Sequence, residues 1–450
     1  MPAVLHLKPE EIDTNEKRRK YTVSVIGCEE KGVLYAIAFA EAGFKVICTD
    51  ADQTLVKRLA KGRIIFSDRE IKTKLKILLR KGQISVTSEL KSAVSHSDII
   101  VMTLTAKIDD KKNSDYSTVE SGCKQVGTAL NHGALFIYGG IAGLGFTDGV
   151  IKETLENTSG LKVGEDFGLV YNPVRVFDGQ ISASIADQKL KVAAMDETSL
   201  DSAVNVLGVI TRKGVKQISD VRVAEAALLF TIVKQDANLA LANELAVFCE
   251  NAGIDYFETL KLVNMHETSF SPTMEAEEGN RNGVYLLFES ADSLNAKLRL
   301  STLARKINED TVRHAINLTK DALRSCGKTL RRARVAVLGT EKPETVTTTF
   351  VKMLEKRGAK VSLYDPLLSK TNPSNVARVF KRSLKEAVEG TDCIVMLTEQ
   401  DRFKRLNLKK LRALMKMPAA IVDLTGAIEH EKVEQNGFKY RGLGRGVEKK

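Results

Sequence analysis

No two cysteines in this chain are spaced C-x-x-C. Cys28, Cys48, Cys123, Cys249, Cys326 and Cys393 stand singly, which removes the ordinary zinc and dithiol redox motifs. No apolar run reaches the roughly 18 residues that a membrane span needs. The opening MPAVLHLKPEEIDTNEKRRK has no apolar stretch after a basic start, so it does not read as a signal peptide. These absences predict a protein of the reducing cytoplasm, off the membrane, with packed thiols at Cys48 and Cys249. They also predict a short flexible extension over residues 1–20. Asp220 to Ala252 contains neither glycine nor proline, and its apolar residues occupy more than one face. A helix of that kind must be buried within one subunit or between two.

What is present is a soluble composition: 450 residues, 43% hydrophobic and 28% charged. That is enough chain for two or three domains. The formal net charge is +11 and the sequence pI about 9.2. Taken as spread along the chain, the excess reads as a solvated basic surface. A nucleic-acid-binding protein is the outlying alternative. Arg402–Lys416 is the densest basic stretch and reads as one amphipathic surface helix. Its only aromatic residue is Phe403, a poor platform for stacking unpaired bases.

Apolar runs alternate with helical patterns from Tyr21 onward. TVSVIG, KVICTD, DIIVMTL, ALFIYGG, FGLVYNPV and LKVAAM are strand candidates, and VAVLG, KVSLYDP, CIVMLTE and AAIVDLTG form a second set. Alternation of this kind predicts parallel sheets covered by helices. The expected fold class is α/β: two Rossmann-like parallel-sheet domains joined by a central helical domain. The expected boundaries are 21–215, 216–330 and 331–450.

The first strand leads into Gly27-Cys28-Glu29-Glu30-Lys31-Gly32, where a dinucleotide fingerprint would read G-x-G-x-x-G. Gly27, Gly32 and Asp50 are the candidate cofactor-binding residues. Glu29 replaces the middle glycine and puts a carboxylate where a pyrophosphate would approach, which disfavours binding. Acids at a helix N-terminus also suit its dipole without any ligand. The glycine-rich YGGIAGLG, Tyr138–Gly145, is a rival phosphate site that reads more simply as a turn. No metal site is expected.

AFAEAGFKVICTDAD, SGLKVGEDFGLVYNP, DANLALANELAVFCENAGID, LSTLARKINE and GFKYRGLGRG together resemble the nucleotide-sugar 6-dehydrogenases, the UDP-glucose/GDP-mannose dehydrogenase family, most closely the branch acting on UDP-N-acetyl sugars. The resemblance spans nearly the whole chain. It implies an NAD-binding first domain, a UDP-sugar-binding last domain and a dimer built on the central helix. It also implies oxidation of a sugar C6 alcohol to a carboxylate by way of a catalytic cysteine.

Set on the family's pattern, the reactive positions differ. The cysteine falls on Gly279, and its lysine and aspartate neighbours fall on Asn282 and Gly283. No cysteine lies between Cys249 and Cys326. The helix lysine is Leu228 and the asparagine Ile232, four residues apart on one face; Lys234 points elsewhere. Val174 follows Pro173 where the family has glutamate. Gly140 and Ile141 stand for serine and threonine, Leu55 for a lysine, and Thr425 for a late arginine. Tyr171, Asn264 and His266 are kept. The resulting expectation is a catalytically inactive homologue with a binding, regulatory or assembly role. It would pair as a homodimer, or as a heterodimer with an active relative, and no catalytic residue is assigned. No cofactor is assigned; NAD stays open as one, and UDP-sugar stays open as a ligand although the residues of its clamp are missing. An NAD-dependent oxidoreductase with relocated chemistry is the alternative.

Overall fold

The computed structural model describes residues 4–63, 69–109, 111–174, 184–263, 271–274, 278–340, 346–366, 378–398 and 400–446. It divides into two compact units. The first comprises Met1–Thr231 with Tyr285–Lys297, the second Ile232–Val284 with Leu298–Lys450.

The first unit is built on strands β1 (Thr22–Ile26), β2 (Lys45–Thr49), β3 (Ile84–Thr87), β4 (Ile99–Met102), β7 (Leu135–Tyr138), β8 (Gly168–Tyr171), β9 (Leu190–Ala194) and β10 (Val215–Gln217). A two-residue hairpin, β5 (Lys107–Ile108) and β6 (Ser114–Asp115), stands apart. The sheet order is β10-β9-β8-β7-β4-β1-β2-β3. Every pairing is parallel except β8 with β9. IIVM and LFIY are buried along their whole length, as a sheet covered on both faces requires. Helix Glu30–Glu41 packs Val33 through Ala40 onto it. The order reverses between β1 and β4, and ligands of open α/β sheets sit outside the carboxyl ends at such a point.

The second unit carries β11 (Arg334–Leu338), β12 (Lys360–Tyr364), β13 (Cys393–Met396), β14 (Ala420–Asp423) and β15 (Lys439–Gly442), all parallel in the order β12-β11-β13-β14-β15. Its other part is helical and includes Arg299–Ser325, which packs on β13, β14 and β15. The predicted α/β class is observed, with one sheet parallel throughout and the other parallel except for β8 with β9. The glycine-free stretch is one helix, Val221–Ala252. Among the described residues, five strands have no counterpart among the predicted ones: β3, the short pair β5 and β6, β10 and β15.

Two further expectations are corrected. From Val4 on, the N-terminal segment expected to be flexible is packed, with Val4, Leu5, Leu7 and Ile12 buried and Val4 N donating to Gly133 O. The basic stretch near 402–416 is two short helices, Asp401–Lys404 and Leu408–Leu414. Asn407 Oδ1 caps the second by accepting from Lys410 N, and Phe403 is buried.

The two sheets repeat one device. Asp98, just before β4, accepts the N–H of Thr22, the first residue of β1 (2.8 Å). Asp392, just before β13, accepts the N–H of Arg334, the first residue of β11 (2.8 Å). SDIIVM and TDCIVM thus hold equivalent places.

Candidate functional site

The crossover after β1 is drawn tight by backbone bonds. Gly27 has φ +92° and donates its N–H to Thr49 O (3.0 Å). A β-carbon at Gly32 would lie 1.8 Å from Gly27 O, so the last fingerprint glycine is required by helix–strand packing alone. Asp50 at the end of β2 accepts from Cys28 N (2.7 Å) and from Asp52 N (2.9 Å). Both of its oxygens therefore hold the chain, while Asp52 caps the next helix through Thr54 N. Glu29 stands at the N-cap of helix Glu30–Glu41 without a capping bond from its side chain. Lys31 reaches from that helix to Gly139 O, at the end of β7 (2.9 Å). Gly27, Gly32 and Asp50 thus come together in one tight strand–helix turn. The donor set fits a pyrophosphate poorly, because carboxylates of Glu29 and Glu30 open the helix whose N–H groups would face the phosphates. Leu55 packs against the core.

The second sheet repeats this turn. Gly339 donates to Tyr364 O (3.0 Å), and Asp365 at the end of β12 accepts from Thr340 N (2.8 Å) and Gln400 Nε2 (3.0 Å). Asp423, at the end of β14, accepts from Thr425 N and Oγ1 (both 2.9 Å) and from Ile428 N (2.9 Å). Thr425 thus orders its own turn and supplies no cation. The run between Thr340 and Val346 lies outside the described residues.

The rival phosphate loop after β7 is already supplied with an anion by the protein. Glu225, buried in helix Val221–Ala252, accepts from Gly145 N (2.6 Å) and Thr147 N (2.9 Å). Burial raises its pKa, against the lowering effect of those bonds. The neighbouring turn is closed by Ala106 N on Ile141 O (3.0 Å). Tyr171 is buried, with its hydroxyl 3.4 Å from Gly140 O. Tyr35 bonds Asn172 at the base of the loop.

Three of the positions set against the family's catalytic groups, Leu228, Ile232 and Val174, carry buried hydrocarbon. A β-carbon at Gly283 would meet Ile232 Cδ1 at 2.6 Å and Cγ2 at 3.0 Å. These two positions are brought together, and what joins them is apolar packing. Asn282 is buried beside them in sequence and Lys234 is exposed. Gly279 lies in helix Glu278–Ser293. Val174 is part of the first unit's core. Asn264 and His266 lie outside the described residues. Four residues further along the helix from Ile232, Asp236 pairs with Arg305 (2.5 Å) and accepts from Asn308 Nδ2 (3.0 Å). Burial raises its pKa even against the guanidinium.

Sequence reading missed Glu225, Lys31 and the paired Asp98 and Asp392. The last two had a signal in the repeated D-x-I-V-M; the first two bond across 80 and 108 residues and had none. Among the described residues, no group of three His, Cys, Asp or Glu could hold a metal ion, and no helix is long and apolar enough to cross a membrane.

Residues 21–208 match the NAD-binding domain, and residues 323–430 the UDP-binding domain, of the UDP-glucose/GDP-mannose dehydrogenase family. The chain is 28% identical over 437 residues to a UDP-N-acetyl-D-mannosamine dehydrogenase of Pyrococcus horikoshii, covering 94% of this chain and 99% of that protein. A solved structure of UDP-D-ManNAc dehydrogenase from Pyrococcus horikoshii superposes with a TM-score of 0.80 at 25% identity, over 94% of this chain and 99% of that one. A UDP-glucose dehydrogenase structure from Pyrobaculum islandicum, at 19% identity, shares the fold with a TM-score of 0.79 over 95% and 98% of the two chains.

Proposed function

The chain belongs to the UDP-glucose/GDP-mannose dehydrogenase family, and from that premise we propose that it is a pseudoenzyme: a member without the cysteine chemistry, acting in binding, regulation or assembly. The state of its thiols carries this reading. All six cysteines are buried. A hydrogen bond to Cys48, together with burial, pushes the Cys28 thiol up. Burial pushes Cys123 up to about 12 and raises Cys249, Cys326 and Cys393. A nucleophilic cysteine must be a thiolate within reach of substrate. The apolar contact of Ile232 on Gly283 supports the same reading. The experiment is an oxidation assay with NAD and a panel of UDP-sugars. No NADH above the buffer rate is expected; robust turnover that disappears on denaturing the chain overturns the proposal.

A second reading, an NAD-dependent oxidoreductase with relocated chemistry, is favoured by the intact turn at Gly27, Gly32 and Asp50. Saturable NAD binding in a calorimeter would support it, and no heat at millimolar NAD would remove it.

For assembly, the partner is a second copy of this chain. Leu241, Leu245 and Phe248 recur at i, i+4 and i+7 on helix Val221–Ala252 and are 43%, 38% and 63% exposed. An apolar row of this kind on a long helix is a face that association buries.

A further inference from the structure

The basic excess is not spread along the chain. Residues 323–450 hold 28 Lys and Arg against 14 Asp and Glu, whereas residues 1–322 hold 40 against 43. The whole positive charge of the protein therefore belongs to the part carrying the second sheet. Topology gathers much of it at one place, the amino ends of the five parallel strands. β12 starts at Lys360, β11 at Arg334 and β15 at Lys439, and each of these first residues is exposed. The connections add Arg331 and Arg332 before β11, Arg357 before β12 and Lys416 before β14, all exposed. Backbone bonds fix this row: Arg332 N to Gly358 O (2.7 Å), Lys360 N to Ala333 O (2.8 Å), Lys416 N to Thr391 O (2.9 Å) and Lys439 N to Ala419 O (3.0 Å). Among the described residues, none of these seven cations is in a salt bridge. The acids on the connections at this edge are Glu355, Glu389, Asp392 and Glu434; Glu355 is held by Arg378 at 2.5 Å and Asp392 by Lys328 at 2.8 Å.

Five strands at about 4.8 Å spacing make the row about 19 Å wide. It faces away from the carboxyl ends, where a nucleotide would lie. We infer that this edge binds the phosphate backbone of a nucleic-acid duplex, without reading its sequence. Two observations select the duplex over other polyanions. From residue 323 onward no large apolar side chain is exposed among the described residues, so nothing there inserts into a lipid surface. No aromatic ring there is exposed either, so there is no platform for the bases of a single strand. What remains is a row of cations opposite about one phosphate charge per 1.7 Å of duplex. The inference does not depend on whether the chain oxidises a sugar.

The test is fluorescence anisotropy of labelled 20-base-pair DNA and RNA duplexes titrated with the full-length protein across a salt series. Saturable binding is expected, with log affinity falling linearly as log salt rises. The triple variant Arg331→Glu, Arg332→Glu, Lys439→Glu should bind at least about tenfold more weakly. Its salt slope should be shallower by roughly 0.9 for each lost contact. Arg357→Glu, Lys360→Glu, Lys416→Glu on the same edge should reproduce this, which guards against misfolding of the first variant. Lys124→Glu, Lys189→Glu, Lys213→Glu, with the same charge change in the first unit, should retain wild-type affinity. Equal losses in all three variants, no binding to either duplex at low salt, tighter binding to a single strand, or preference for phosphatidylserine vesicles would each overturn the inference. Selective binding to either the DNA or the RNA duplex supports it and identifies the source.

Discussion

Ile232 rests on the bare backbone of Gly283, so closely that a β-carbon added there would lie 2.6 Å from its Cδ1. Gly283→Ala should therefore destabilise the chain by about 1–3 kcal/mol through overpacking. Ile232→Ala in the same background should give back part of that loss. Urea unfolding of both single variants and the double variant measures the coupling, expected at about 1 kcal/mol or more. Additive effects would mean that the two side chains do not share this space.

Glu29 is the test of the cofactor turn. Glu29→Gly removes a carboxylate from the N-terminus of helix Glu30–Glu41 and should cost that helix only a few tenths of a kcal/mol. If like-charge repulsion limits dinucleotide binding, NAD affinity measured by calorimetry should rise about tenfold, on the order of 1.4 kcal/mol. An unchanged isotherm would locate the obstacle elsewhere, with Lys31 on Gly139 O as the next group to vary.

Two buried carboxylates should give opposite pH responses. Burial pushes Asp392 up, but the Arg334 N–H and the Lys328 ammonium outweigh it, and its pKa is lowered. A lowered carboxylate contributes stability above its unfolded value and loses it as pH falls through the folded one. Wild type should therefore exceed Asp392→Asn in urea midpoint at neutral pH, and the gap should close in acid. Glu225 has its pKa raised by burial. Its stabilising contribution is complete below the unfolded value and declines as pH rises toward the folded one. Wild type should thus lose midpoint relative to Glu225→Gln on going from acid to neutral pH. Parallel curves for both pairs would contradict these assignments.

Association through the central helix is checked by sedimentation. Phe248→Glu places a charge in the apolar row with Leu241 and Leu245, and should shift the species from dimer to monomer at micromolar concentration without loss of helix signal. A wild-type chain that sediments as a monomer, and dimerises only when an active dehydrogenase is added, would assign the face to a heterodimer instead.

Strands that are apolar throughout, such as IIVM and LFIY, were legible because burial on both faces leaves a continuous run. β3, β10 and β15 were not, since ISVT, VKQ and KYRG lie at or near sheet ends and mix polar with apolar residues. The glycine turn could be read as a pattern, but its independence of any ligand could not. That rests on the distance from Gly32 to Gly27 O and on Asp50 holding two backbone N–H groups. Glu225 could be seen as an acid in a helix, yet nothing local tells which loop, some 80 residues away, it anchors. The basic excess can be counted along the chain, but its alignment at one strand edge requires the strand order.

The twin aspartates ahead of β4 and β13 have a consequence for how such a chain can change. Each fastens the sheet at the amino ends of its strands, and the glycine turns at the carboxyl ends are braced by Asp50 and Asp365. Selection for folding alone is enough to preserve all four. Side chains at the carboxyl ends of such a framework can therefore be exchanged one at a time while the outline of the fold persists, because the bonds that hold the sheets lie in backbone and in these four carboxylates.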